Sequence, residues 1–252
     1  MSSNSSINIL GGMSDWNLII HFMKLKKKDF SNEVKEPHHA FTYIKTSQAV
    51  RRFETAITDT FLHFRTEGIK KLVQTSLFKD ELSKDNLILL FWHGSSNNFL
   101  LEYLNENVYF PAYYTGRVSM TGKEPEACLI ESGLDEIKGW SDSTLDMVST
   151  KYLTLLKKFG LMEGRMTKQL IHPFLSDRMF VVFILWLTQI ETKSNLLNSK
   201  WIKYSFMEQQ FFIERLLQKK FVRFFNVIYT GDKLSIEPQI EINTIFNEPK
   251  FA

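Results

Sequence analysis

The side chains whose type and spacing could do chemistry surround one capped helix in the segment 140–168. Ser143 and Thr144 stand near the start of this helix. The basic residues that follow are Lys151, Lys157, Lys158, Arg165 and Lys168. Hydroxyl and cationic groups can hold the phosphates of a nucleic acid, and those near a helix start can also contact bases. The pattern therefore predicts binding of a polyanion rather than bond-breaking chemistry.

No catalytic or metal-binding motif accompanies these residues. The six histidines never stand four residues apart on a helix, as a zinc pair on one face requires. Cys128 is the single cysteine, which excludes a disulfide framework within the chain, and it has no neighbouring base to activate it. We therefore predict a protein without enzymatic activity, metal or cofactor. A carboxylate pair assembled by the fold would leave no trace in the sequence, so that alternative stays open.

Positive charge is local in this chain. The 31 Lys and Arg against 28 Asp and Glu leave a net charge of only +3. Residues 45–71 hold six basic and three acidic side chains, and Arg51 and Arg52 are the predicted contacts there. Residues 200–223 hold six basic and two acidic side chains. The predicted contacts in this second segment are Arg215, Lys219, Lys220 and Arg223. Simple solvation of basic helix faces is the competing explanation.

The helix that positions the central set has clear boundaries in the sequence. Ser141 or Ser143 can cap it, an apolar stripe repeats every three or four residues, and Gly160 supplies a stop. A turn and an extended segment over 168–175 follow. This order is similar to that of a winged helix-turn-helix, in which the helix enters the major groove and the wing touches phosphates.

The remaining segments predict a mainly α-helical protein. The expected helices cover Ser14–Leu25, Thr46–Val73, Ser83–Gly94, Asn97–Asn107 and Glu124–Ser132. The C-terminal part predicts a helix over Phe206–Phe225, then a short β-hairpin that turns at Gly231.

The chain divides by sequence into three parts. We expect an N-terminal helix and linker over 1–40, a helical domain over 41–138 and a winged-helix-like domain over 139–252. The most apolar run, Met179–Leu187, is nine residues long, whereas a membrane-spanning helix needs about 20. We therefore predict no membrane contact, and the lack of a secretory signal favours the cytoplasm.

Four segments together carry a family resemblance. They are AVRRFETAITDTFLHF, DNLILLFW with its Leu-Glu-Tyr-Leu sequel, WSDSTLDMVSTKYLTLLKKFGLMEG and FFNVIYTGDKLSIEP. Over about Ile9–Pro238 the chain resembles the BrxA family, the small helical component of the BREX (bacteriophage exclusion) systems of bacteria. The resemblance implies a helical fold, an association with DNA binding and no known catalytic activity. It also implies a likeness to a helical RNA-binding antitermination factor, and it supplies no catalytic residues.

We predict a non-enzymatic nucleic-acid-binding accessory protein of a phage-defence system. Duplex DNA is favoured over RNA, and other BREX proteins are expected partners. The alternative is an adaptor that bridges larger defence subunits through protein surfaces. Aromatic residues that could anchor such a partner are Tyr109, Phe110, Tyr113 and Tyr114. A buried core is the favoured explanation of these four aromatics.

Overall fold

The protein is mainly α-helical, as predicted. The computed structural model describes residues 3–13, 16, 19, 47–77, 83–165 and 167–242. Within these residues it contains ten α-helices and two small antiparallel sheets. The chain forms two compact units: unit 1 comprises 1–63 and 80–171, and unit 2 comprises 64–79 and 172–252. The domain boundary predicted after residue 138 falls inside unit 1.

The elements follow one another along the chain. The helices are α1 (Ser3–Gly12), α2 (Ser47–Ile57), α3 (Glu67–Leu77), α4 (Lys84–Asn97), α5 (Phe99–Leu104), α6 (Phe110–Tyr114), α7 (Lys123–Glu131), α8 (Asp142–Lys158), α9 (Asp177–Ile190) and α10 (Gln209–Leu216). The strands are β1 (Ser119–Met120), β2 (Met162–Glu163), β3 (Lys168–Leu170), β4 (Phe225–Tyr229) and β5 (Leu234–Pro238). Two π-helical turns, Thr58–Leu62 and Asn105–Tyr109, continue α2 and α5. Short 3₁₀ helices cover Asp135–Ile137, Leu196–Asn198, Lys200–Ser205 and Lys219–Phe221.

Helix α8 is the centre of unit 1. Its buried stripe consists of Leu145, Val148, Tyr152, Leu155 and Leu156, continued by Phe159. The Ser141 hydroxyl accepts a hydrogen bond from the Thr144 amide at 3.3 Å, and Gly160 ends the helix with a φ of 76°. Helices α1 and α7 pack against it. The predicted helix is confirmed, and Ser141 is its cap.

A three-stranded antiparallel sheet adjoins α8. Its strand order is β1-β3-β2, so β2 and β3 form a hairpin with β3 in the middle. Gly164 turns the hairpin with a φ of 90°, and a Cβ there would lie 2.4 Å from the Thr167 carbonyl oxygen. The turn therefore requires glycine. The extended segment predicted over 168–175 is a strand only as far as Leu170.

Unit 2 is built on α9. The apolar run Met179–Leu187 is buried in this helix, which packs against α3. Strands β4 and β5 pair antiparallel around Gly231, whose φ is 91°, and this confirms the predicted hairpin. Among the described helices, none combines the length and apolar character needed to cross a bilayer.

The prediction of one continuous helix over Thr46–Val73 is wrong. It stops after Leu62, because His63 is extended with a ψ of 115°, and α3 begins only at Glu67. The cause is a tertiary contact. The side-chain amide of Asn97 donates to the carbonyl oxygens of Thr60 and His63, which replaces bonds that a continuing helix would make.

The predicted helix Phe206–Phe225 is also too long. Phe206 has a left-handed φ of 60°, which a helix cannot contain, so α10 begins only at Gln209. After Leu216 the chain passes through a 3₁₀ turn and becomes strand β4 at Phe225.

Two other predictions concern the N-terminal helix and the aromatic residues. The helix predicted over Ser14–Leu25 lies outside the described residues, apart from the buried side chains of Trp16 and Ile19. The aromatic residues considered as partner anchors are mostly core, because Tyr109, Phe110 and Tyr113 are buried and only Tyr114 is partly exposed.

Candidate nucleic-acid interface

Three of the predicted cations gather at the turn between β2 and β3. Lys157 extends from the last turn of α8 and donates from Nζ to the Gly164 carbonyl oxygen at 2.8 Å. Lys168 donates from Nζ to the Arg165 carbonyl oxygen, and the Arg165 side chain is exposed. Partial burial and the nearby charge of Lys157 lower the pKa of Lys168. We call Lys157, Arg165 and Lys168 the wing cluster.

The three cations of the wing cluster share the hairpin with one exposed carboxylate of β2, Glu163, but form no ion pair with it. In the part of the chain that the structure describes, no ion pair involves any of its three side chains. Neighbouring cations repel one another, and an anion that binds between them removes this repulsion. The arrangement is suited to a phosphate chain that passes the turn.

Lys158 has a structural task instead. Its ammonium donates to the carbonyl oxygens of Leu10 at 3.1 Å and Gly11 at 2.9 Å, and to that of Met13. Carbonyls at a helix end lack partners within the helix, so Lys158 caps α1 and fastens it to α8. Burial and the charge of Lys151 lower the pKa of Lys158 to about 8. For these reasons we leave Lys158 out of the wing cluster.

This lowered pKa predicts how stability depends on pH. The usual lysine pKa of 10.5 applies to the unfolded chain, against about 8 in the folded protein. Between these values the unfolded chain binds a proton that the folded protein has released, so the free energy of unfolding rises with pH. We expect the wild type to gain stability relative to a Lys158→Met variant between pH 8 and 10. Urea denaturation of both proteins measures this, and parallel pH profiles would contradict it.

The start of α8 is acidic. The Ser143 side chain is exposed there, together with Asp142 and Asp146. The Thr144 hydroxyl lies 3.0 Å from the Ser141 hydroxyl and belongs to the helix cap. Two carboxylates beside these hydroxyls repel a phosphate. Because Lys157 and Lys158 stand in the last turn, α8 is acidic at its N-terminal end and basic at its C-terminal end.

The remaining predicted contacts of unit 1 lie on or beside other helices. Lys151 is partly exposed, and its backbone lies close to Gly11 of α1. Arg51 and Arg52 are exposed on α2. Their contribution to binding stays a prediction.

Arg215 of unit 2 is held inside that unit. Its Nη2 donates to the Leu175 carbonyl oxygen at 2.7 Å and to Asp177 at 3.0 Å, and its guanidinium lies 4.5 Å from the Phe180 ring centre. Lys220 binds the other oxygen of Asp177 at 2.6 Å. Partial burial raises the pKa of Asp177, but the hydrogen bonds from Lys220 and Arg215 lower this pKa by more and leave it below its usual value. These two cations stabilise unit 2 whether or not they bind a ligand.

Two further cations of unit 2 were predicted as contacts. Lys219 is exposed on its 3₁₀ turn, and the Arg223 guanidinium lies 4.4 Å from the centre of the Phe224 ring. Their contact with nucleic acid stays a prediction.

Groups for other chemistry are sparse. Among the described residues there is no group of three or more His, Cys, Asp or Glu that could hold a metal ion. Burial raises the pKa of the Cys128 thiol, which disfavours the reactive thiolate.

Comparison with known protein families identifies a match. Residues 46–184, which run from α2 through the wing cluster into α9, match the BrxA family. The searches of curated proteins and of solved structures returned no match. Because the family match covers more than half of the 252 residues, this chain belongs to the BrxA family, a component of the BREX phage-defence systems.

Proposed function

We propose that this BrxA-family protein is a non-enzymatic component of its BREX system that binds duplex DNA through the wing cluster. The observation that carries the proposal is that Lys157, Arg165 and Lys168 meet at one glycine turn. Within the residues that the structure describes, none of the three forms an ion pair. Three cations at one turn can neutralise neighbouring phosphates, and the counterions released on binding favour the complex.

The order of the elements supports the same proposal. The chain runs β1–α7–α8–β2–β3, with a 3₁₀ turn between the two helices, and the sheet order is β1-β3-β2. Two helices followed by a hairpin agree with the proposed winged helix-turn-helix. In that assignment the turn at Gly164 is the wing and α8 is the helix nearest the groove. Because its N-terminal end is acidic, we place the phosphate contacts at its C-terminal end.

Duplex DNA fits this arrangement better than duplex RNA. The major groove of B-DNA is about 12 Å wide and admits a helix, whereas the major groove of A-form RNA is too deep and narrow for side chains to read. A labelled RNA duplex is therefore the comparison that decides between the two.

Fluorescence anisotropy with a short labelled DNA duplex tests the wing cluster. The double variant Lys157→Gln plus Arg165→Gln removes two of its charges and leaves the contact between Lys158 and α1 in place. We expect weaker binding and a log–log salt slope that is smaller by about two, since each neutralised phosphate contributes about 0.9.

The matched control is Lys193→Gln plus Lys233→Gln, which removes the same charge from exposed positions of unit 2. If both double variants change affinity and salt slope equally, the attraction comes from net charge and the wing cluster is not the site. Tighter binding of the RNA duplex would replace DNA by RNA as the ligand.

A further inference from the structure

An open groove lies between α7, the loop that follows it and the start of α8. Its volume is about 410 Å³. The apolar side chains that line it are Leu129, Ile130, Leu134, Ile137 and Leu145. Ile130 is 62% exposed, whereas Leu129, Ile137 and Leu145 are buried and Leu134 is partly exposed. An exposed aliphatic side chain in a concave apolar surface is typical of a site that another molecule covers.

The rim of this groove carries free negative charge. Asp135 and Asp142 line the groove, and Lys138 is the only cation among its lining residues. Glu131 and Glu136 are exposed beside them. None of these four carboxylates takes part in an ion pair within the described residues. The rim is therefore ready to receive cations from outside the molecule.

Carboxylates at the start of α7 behave differently. Glu124 binds Arg117 at 2.5 Å, and Glu126 binds Lys123 at 2.9 Å. Burial raises the pKa of Glu124, but hydrogen bonds from Thr121 and Arg117 lower this pKa by more and leave it below its usual value. The unpaired charge is thus a property of the groove rim rather than of α7 as a whole.

We propose that this groove docks a basic amphipathic segment of another protein. Aliphatic side chains of the partner would cover Ile130 and Leu134, and its lysines or arginines would face the rim carboxylates. The apolar lining gives affinity in the manner of a helix bound in a groove. The acidic rim selects a basic partner, speeds its association and repels nucleic acid. The groove is at the acidic end of α8, so it is separate from the wing cluster.

A designed peptide tests the groove in the full-length protein. The probe is a labelled amphipathic helical peptide of leucine and lysine, and its matched control replaces every lysine by glutamate. We expect the lysine peptide to bind with an affinity that falls at least about tenfold, or about 1.4 kcal/mol, in both Ile130→Ser and Asp135→Lys. The glutamate peptide should not bind.

Two variants outside the groove are the protein controls. Met147→Ser removes an exposed apolar side chain from α8, outside the groove, and Glu163→Lys reverses an exposed carboxylate of β2. Both should bind the lysine peptide as the wild type does. Circular dichroism checks the fold of every variant. Because Ile130 and Asp135 are both exposed, their substitution should leave the core intact, and a single folded groove variant is enough to test the proposal.

Several outcomes would overturn the proposal. These are unchanged affinity in a folded groove variant, equal loss in the groove and control variants, or binding of the glutamate peptide. Self-association of the wild type that Ile130→Ser abolishes would assign the groove to a second copy of the chain. Peptide binding by the variant Lys157→Gln plus Arg165→Gln should equal that of the wild type, which separates this test from the test of DNA binding.

Discussion

Replacing Gly11 with alanine should lower the free energy of unfolding of unit 1 by about 1–3 kcal/mol, the usual cost of overpacking. A Cβ at Gly11 would lie 2.4 Å from the Lys151 carbonyl oxygen and 2.9 Å from the Lys151 Cβ. Neither atom can rotate away, so α1 and α8 would have to separate. This movement would also pull the Leu10 and Gly11 carbonyls away from the Lys158 ammonium.

Gly12 provides the matched control in the same helix. A Cβ at Gly12 would lie 3.7 Å from Nζ of Lys151, the mobile end of a flexible side chain. We expect Gly12→Ala to be neutral, or stabilising by up to about 1 kcal/mol, because alanine is the better helix former. Urea denaturation followed by circular dichroism measures both variants. Equal effects would show that α1 does not approach α8 closely at Gly11.

The sequence predicts α8 well because the signals that define it are local. The hydroxyl of Ser141, the apolar repeat and Gly160 all act within a few residues, and the structure keeps each of them. The hairpin at Gly231 was predictable for the same reason, since a positive φ favours glycine at a turn.

Features that depend on distant partners were not predictable. Lys158 is one of two adjacent lysines in a last helical turn, and nothing near it in sequence distinguishes it from Lys157. Its carbonyl partner Leu10 lies 148 residues away. The end of the helix at Leu62 likewise depends on Asn97, because no glycine or proline marks the break. The groove beside Ile130 carries no motif at all and exists only through packing.

The distribution of charge along α8 explains why the two proposed surfaces have opposite charge. Lysines complement the negative end of the helix dipole, and carboxylates complement the positive end. The same arrangement gives the wing cluster a basic surface and the groove an acidic one. Since the acidic rim repels phosphates, DNA at the wing cluster and a basic partner in the groove need not compete.

Asn105→Leu should be the most destabilising single change in the buried polar network of unit 1, with a loss of about 2–4 kcal/mol in the free energy of unfolding. Asn105 is fully buried in the π-helical turn after α5. Its amide donates to the Ser95 hydroxyl at 2.9 Å, and its oxygen accepts from the Tyr152 hydroxyl at 3.0 Å. Leucine would remove both bonds, so the Tyr152 hydroxyl of α8 would lose this acceptor while buried.

A double-mutant cycle with Tyr152→Phe identifies the cause of that loss. Phenylalanine removes the hydroxyl, so Tyr152→Phe should cost less in the Asn105→Leu background than in the wild type. The expected coupling energy is about 0.5–3 kcal/mol, the range for residues in one hydrogen-bond network. Urea denaturation of the four proteins gives this value. Additive losses would mean that the hydrogen bond between Asn105 and Tyr152 contributes nothing, and that leucine destabilises unit 1 through the lost bond to Ser95 and through its shape.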